Sequence, residues 1–373
     1  MGADTTQLEP LPLPAGIRSR MVAGVNGLDM HVLEAGEAGR PALILLHGFP
    51  ELAFSWRYVM PALADAGYHL VAPDMRGFGR TTGADARYGG DLSGFRLLNC
   101  VTDVLALVKA LGIAKVAAVV GHDMGAQVAG ACALIRPDVF PAVVMMSAPW
   151  GGPPSLTPPA AYDFAGALAA LDPPRKHYAW YYSGPDAAAE MDHSPQGVHA
   201  FLRAYYHVKS GDWTANAPYP LPDRSARSFG LLPTYYVMKR DEGMAQTVRP
   251  AMPTAEDIAA CRWLPEADLA VYAAEYGRTG FQGGLQWYRI LTAPEQQAEM
   301  RLFAGRTIDV PARFIAGERD WGIHQTPGAL EALKTRLCTR YLDCPPVPGA
   351  GHWVQQEAPE AVTRLLLEFL AAA

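Results

Sequence analysis

The sequence predicts a doubly wound, mostly parallel α/β sheet interrupted by an inserted helical layer. Three observations predict it. In the first 149 residues short apolar runs alternate with amphipathic stretches of helical period, the pattern of strands joined by crossover helices. That rhythm stops at Pro149-Trp150-Gly151-Gly152-Pro153-Pro154 and returns near residue 305. Where one apolar run meets one small-residue helix stands Gly121-His122-Asp123-Met124-Gly125. Glycines on either side allow a sharp strand-to-helix turn that lifts the central side chain above the sheet.

Taken in order, residues 1–20 hold Pro10, Pro12 and Pro14 and no apolar core segment, and read as a loose arm. Residues 21–149 form the first part of the sheet layer. Within it, 21–36 reads as a hairpin with Asn26-Gly27 at its turn. Residues 42–46 are a third strand ending at His47-Gly48-Phe49-Pro50. Residues 58–66 are helical, and 68–72 is a strand leading into Asp74-Met75-Arg76-Gly77-Phe78-Gly79. In 97–111, Leu97, Val101, Val104, Leu105 and Val108 share one stripe of a helix. A buried strand at 115–120 precedes the turn, the helix 126–135 follows it, and 142–146 is the next strand. Residues 150–304 are rich in Tyr and Trp without the strand rhythm, and are expected to be a mainly helical cap over the sheet. Any single ring there is most simply core of that cap. Residues 305–373 return to the sheet: a strand at 310–316, a helix at 329–336, a strand at 340–342, and a closing amphipathic helix through Val362, Leu365, Leu366, Phe369 and Leu370.

Composition narrows the function. Of 373 residues 18% are charged and the net charge is −6, so no basic footprint for nucleic acid or an anionic membrane is present. No apolar run reaches the roughly 18 residues of a membrane-spanning helix. The five cysteines lack any C-x-x-C spacing, a reduced profile that points to the cytoplasm. There is no H-E-x-x-H, no Cys/His cluster, no G-x-x-x-x-G-K and no complete dinucleotide fingerprint, because Thr82 stands where the third glycine belongs. No metal and no cofactor is implied. Nothing in the sequence sets the oligomeric state.

The chemistry lies in an order of residues. Asp123 occupies the nucleophile position of a G-x-D-x-G elbow, and Asp320 and His352 follow at the ends of later strands. Nucleophile, acid, histidine is the chain order of α/β hydrolases. Alone, Asp320 is a turn carboxylate and His352 a loop histidine; the order and placement together make the constellation. Phe49 and Met124 are the expected backbone donors of an oxyanion hole. A carboxylate with a reference pKa near ~3.9 is already ionised at neutral pH. It suits displacement at a saturated carbon and not acyl transfer, since an anhydride would be reactive. Two substrate classes fit, epoxides and organohalides. Epoxide opening makes an alkoxide and so needs an acid, for which tyrosine phenols are suited; halide release needs only donors.

The motifs resemble the epoxide hydrolases of the α/β-hydrolase fold, of the soluble type, over nearly the whole chain. His47-Gly48-Phe49-Pro50-Glu51 with Ser55-Trp56-Arg57 resembles the HGFPE…SWR segment of that family. Gly121-His122-Asp123 and Gly351-His352-Trp353 resemble its GHD and GHW segments. Gly280-Phe281 through Trp287-Tyr288-Arg289 resembles the cap motif GFxGxLxWYR. The resemblance implies a small-molecule epoxide and water as reactants. It implies Tyr288 as one proton donor and Tyr178 as the other, with Tyr181 its rival in the segment Tyr178-Ala179-Trp180-Tyr181-Tyr182. The remaining motif residues, His47, Pro50, Trp56, His122, Trp180, Tyr181, Trp287 and Trp353, are expected to line the substrate pocket. The sequence departs from the family pattern at Met124, where many relatives have Trp, and at Gln282, where Arg is common. A Trp after the nucleophile cradles halide in haloalkane dehalogenases, and a thioether cannot donate in its place. The rival readings are a haloalkane or haloacetate dehalogenase with the same nucleophile, and a catalytically silent ligand-binding protein on the same fold.

Overall fold

The computed structural model describes residues 8–157 and 162–373. Eight strands form one sheet in the order β1-β2-β4-β3-β5-β6-β9-β10. They are β1 Ile17–Val25, β2 Leu28–Ala35, β3 Ala42–Leu46, β4 His69–Pro73, β5 Ala118–His122, β6 Val143–Met146, β9 Ile308–Ile315 and β10 Cys338–Tyr341. β2 runs antiparallel to both β1 and β4, and the remaining pairs are parallel.

The hairpin β1–β2 closes on two residues, Asn26 at φ 50° and Gly27 at φ 78°, the left-handed pair that a two-residue turn between twisted strands requires. β1 begins at Ile17 and not at residue 21, so the arm expected over 1–20 is shorter than its composition implies. Arg18 faces Glu34 and Arg20 faces Val32 across the ladder, and the Arg20 guanidinium pairs with Glu34. An edge strand with polar outward residues carries little apolar signal, which is why its first turn reads as coil. The first seven residues of the expected arm lie outside the described chain.

β3 and β5 are apolar throughout because both faces are covered. Ala42, Ile44, Leu46 and Val119 face the helices Leu97–Ala110 and Met124–Ile135. Leu43, Leu45, Ala118 and Val120 face Met60–Asp65 and Pro359–Ala372 on the other side. On that side Val362, Leu366 and Phe369 are fully buried, and each contributes about 2 kcal/mol of hydrophobic stabilisation.

The described residues between β6 and β9 form the cap, of short helices and loops with a two-stranded ribbon of β7 Arg175–His177 and β8 Val237–Lys239. Four cap helices matter for the site: Tyr178–Ser183, Gly197–Lys209, Glu266–Thr279 and Gln282–Thr292. The cap is tied to the sheet layer by buried polar contacts. The Arg57 guanidinium reaches Asp268, Gln356 and the Trp263 carbonyl, and Tyr206 donates to the Pro50 carbonyl. All five cysteines are free thiols. No helix among the described residues is long and apolar enough to cross a membrane.

Candidate active site

The parallel register sets the site. Leu46 pairs with Gly121, and His122 with Met146, so the carboxyl ends of β3, β5 and β6 lie level and their loops emerge together. Ligands of open α/β sheets bind at this edge. Asp123 bridges β5 and the helix that follows at φ 52° and ψ −115°, a region costly for a residue with a Cβ. Two close approaches hold it there. A Cβ on Gly48 would stand 2.3 Å from the Asp123 Cβ, and one on Gly125 would stand 2.4 Å from the Leu46 carbonyl oxygen. The strand ends can pack this tightly only because both positions lack side chains.

The Phe49 N–H donates to Asp123 Oδ1 at 3.1 Å. Met124 opens the helix Met124–Ile135, where a backbone N–H has no partner within the helix. Asp123 Oδ2 stands 3.6 Å from His352 Nε2. That separation is too long for a hydrogen bond, and Nε2 is buried with no other partner. On the far side of the ring, Nδ1 lies 3.1 Å from Asp320 Oδ1 and 3.3 Å from Oδ2. Asp320 is itself fixed by the Gly322 N–H at 2.6 Å.

Burial by itself would lower the His352 pKa and raise those of Asp123 and Asp320. The paired charges win. Asp320 opposes burial at His352, Lys209 lowers the value again, and the contacts with Asp123 and Asp320 complete a net rise to about 9. Asp123 is held well below the ordinary carboxylate range by His352 and then by Lys209. Asp320 is lowered by His352. At neutral pH this is an anionic Asp123 beside an imidazolium.

Two cap phenols lie within reach of the Asp123 charge. The Tyr178 and Tyr288 rings are 5.7 Å apart, and Tyr288 packs edge-on against Phe49 at 5.5 Å. Both are buried, and burial together with the nearby Asp123 charge pushes both phenols well above their usual pKa. They keep their protons. Tyr178 donates to Gln325 Oε1 at 3.4 Å. Tyr181 turns elsewhere, donating to Glu190 at 2.7 Å. On the Met124 side an apolar cavity of about 260 Å³ is walled by Phe95, Met124, Trp150, Trp287, Ile290 and Met300.

Of the residues expected to line a pocket, Trp287 does face a cavity, its indole N–H fixed to the Arg76 carbonyl. Trp353 packs on the His352 ring at 4.7 Å. The others are placed differently. Trp56 is fully buried among Val59, Met60 and Leu63, on the sheet face away from the cap. Trp180 packs against Phe164 and His177 within the cap. Tyr181 is engaged by Glu190. His47 is locked in its own turn, with Nδ1 on the Gly48 carbonyl and Nε2 accepting from the Met75 N–H. Pro50 follows a cis peptide bond, and its carbonyl is the acceptor for Tyr206. His122 is fully enclosed below the site: Nδ1 is 2.5 Å from Glu51 and Nε2 is 2.7 Å from the His352 carbonyl. His47, Pro50 and His122 are engaged by backbone or by neighbouring polar groups, because a strand end that must hold a strained turn needs its polar groups satisfied internally.

Residues not singled out in the sequence complete the site. Glu51 joins His122 to Gln355, Gln356 and the Gly48 N–H. Ser147, at φ 61°, donates to the His352 carbonyl at 2.9 Å. Tyr182 and Tyr205 bury phenol oxygens that have no partner. Lys209 ends the helix Gly197–Lys209, four residues after Tyr205. That spacing puts the two on one helix face, a weak signal for a buried cation.

Residues 41–221 match the alpha/beta hydrolase fold family. Epoxide hydrolase A of Mycobacterium tuberculosis is 35% identical over 95% of this chain and 98% of its own length. Epoxide hydrolase B of the same organism is 33% identical over 88% of this chain and 91% of its own. Among solved structures, an epoxide hydrolase from an endophytic Streptomyces superposes with a TM-score of 0.77 at 31% identity, covering 96% of both chains. Potato (Solanum tuberosum) epoxide hydrolase I gives 0.74 at 32% identity over 96% of this chain and all of the other.

Proposed function

The chain belongs to the epoxide hydrolases of the α/β-hydrolase fold, and from that premise we propose that it opens an apolar epoxide to a vicinal diol through an alkyl ester of Asp123. One arrangement carries the reading: the Asp123 carboxylate on the elbow, with the edge-to-face phenols of Tyr178 and Tyr288 near enough for its charge to hold their protons on. Oδ1 is engaged by the Phe49 N–H, which leaves Oδ2 to attack an oxirane carbon. The carbon–oxygen bond of the ring breaks, and the departing alkoxide takes a proton from Tyr288 or Tyr178. Tyr178 and not Tyr181 is the second acid in this scheme, since the Tyr181 hydroxyl is spent on Glu190.

In the second step His352, oriented by Asp320, takes a proton from water. The water oxygen bonds to Cγ of Asp123, and the negative charge that develops on Oδ1 meets the Phe49 and Met124 N–H groups. Such preorganised donors are worth about 2.7–4 kcal/mol each to an oxyanion. Collapse expels the diol, whose leaving oxygen takes the proton from His352. The cavity beside Met124, Trp150 and Trp287 offers the apolar body of a substrate a dry wall.

A single turnover in oxygen-labelled water tests the route. The diol's new oxygen comes from Asp123, so the label stays in the protein and reaches product only in later turnovers. Label in the diol of the first turnover would refute the covalent scheme. Tyr288→Phe is expected to slow ester formation by about 10²-fold or more, with ester hydrolysis little changed. Equal slowing of the two rates would remove Tyr288 from the acid role. Gly48→Ala forces the new methyl against the nucleophile, and a displacement of about 1 Å is expected to slow ester formation by about 10²-fold. Stopped-flow single turnovers, with a thermal unfolding curve to exclude global loss, give that number.

A further inference from the structure

Lys209 is 3% exposed, and its ammonium faces five aromatic rings. The ring centroids lie at 4.8 Å for Tyr236, 5.1 Å for Tyr205, 5.7 Å for Tyr178, 5.8 Å for Trp353 and 5.9 Å for Tyr235. Among the described residues it forms no ion pair. A buried cation without a carboxylate is expensive, and ring faces return only part of its hydration. The charges it does sense are those of the triad, since it acts on both Asp123 and His352. Its backbone is part of the same assembly: the Lys209 carbonyl accepts from the His352 N–H at 2.8 Å. Nothing in the hydrolytic scheme above uses this side chain.

We propose that Lys209 is a positioning residue for the second half-reaction: its ammonium, held in the aromatic box, drives the proton off His352 once Asp123 has been esterified. The inference rests on the two-step reading given above. At rest His352 is an imidazolium between two carboxylates and cannot act as a base. Ester formation removes the Asp123 charge but not that of Lys209, so the balance at His352 tips towards the neutral ring. The proton has a destination. Epoxide opening leaves a tyrosinate, and the imidazolium proton passes to it through the new product hydroxyl or a water. Phenol and neutral imidazole result, with no net loss of charge to solvent. The groups around His352 are Asp320, Asp123 and Lys209, the His122 ring at 5.0 Å, and buried Glu357, which accepts from the Gly351 and Trp353 N–H groups on either side of His352 and from Gly211, and whose pKa burial pushes up to about 7. Those around Lys209 are Tyr178, Tyr205, Tyr235, Tyr236 and Trp353.

The test is the pH dependence of ester hydrolysis, read in single turnovers of the full-length enzyme and its Lys209→Met and Lys209→Arg variants. In Lys209→Met the midpoint for hydrolysis is expected to move up by about one unit or more, with the rate recovering at high pH. Ester formation should stay within a few-fold. Lys209→Arg keeps the charge and should keep the parent midpoint. An unmoved midpoint in Lys209→Met, or a loss by the same factor at every pH, overturns the proposal. If Lys209→Met does not fold, Lys209→Gln replaces it, and a midpoint raised equally in Lys209→Arg is an independent refutation. Failure here is separable from failure of the two-step route. Without any ester the route itself falls; with an ester whose hydrolysis ignores the charge at position 209, only this inference does.

Discussion

Asp123→Asn should leave a folded protein whose turnover is reduced by roughly four orders of magnitude or more. The amide is isosteric, and Asn tolerates the left-handed φ of 52° better than most residues. The Phe49 N–H can still donate to Oδ1. What disappears is the charge and the nucleophilic oxygen, so tyrosine acids overhead have nothing to assist. Intact-protein mass spectrometry during turnover should find no adduct, and should also verify that the amide has not reverted to the acid. Activity within tenfold of the parent, with the amide intact, would mean that the attacking atom lies elsewhere.

His352→Gln should separate the two half-reactions. In the proposed scheme, ester formation needs the Asp123 carboxylate and a phenol, not a base. Hydrolysis needs a group 3.6 Å from Asp123 Oδ2 that can take a proton from water. The variant should therefore give one equivalent per site of an adduct of the substrate's mass, followed by hydrolysis slowed by roughly 10³-fold or more. Peptide mapping should place the added mass on Asp123. A variant that forms no adduct, yet binds substrate and remains folded, would contradict the division of labour between the two residues.

The wider network explains why this arrangement is rigid. Glu51 is buried, and burial would raise its pKa, but His122 and the Gly48 N–H hold it low. It thereby links three loops. It fixes the turn that carries Phe49, the residue before Asp123, and through His122 the carbonyl of His352. A catalytic constellation assembled from separate strand ends needs such support, because displacements of about 1 Å are costly in rate.

Much of this was legible in the chain. Apolar runs of five or so residues at 42–46 and 115–120 read as strands, and the helical stripe at 97–108 packs against them. The strand–Gly-x-Asp-x-Gly–helix order singled out Asp123, and chain order with position at later strand ends singled out Asp320 and His352. These are local patterns, and local patterns are written in the order of residues. What could not be read is which way a side chain turns when it has several neighbours to choose from. Trp56 and Trp180 sit in motifs yet pack away from the elbow. Tyr181 had the same sequence claim as Tyr178 and lost its hydroxyl to Glu190. Lys209 stands in no motif of the sequence. Only the convergence of Tyr178, Tyr205, Tyr235, Tyr236 and Trp353, drawn from distant parts of the chain, turned it into a buried charge beside the triad. Periodicity and turn chemistry act over a few residues and set elements; burial and charge act through space, and exist only once those elements have packed.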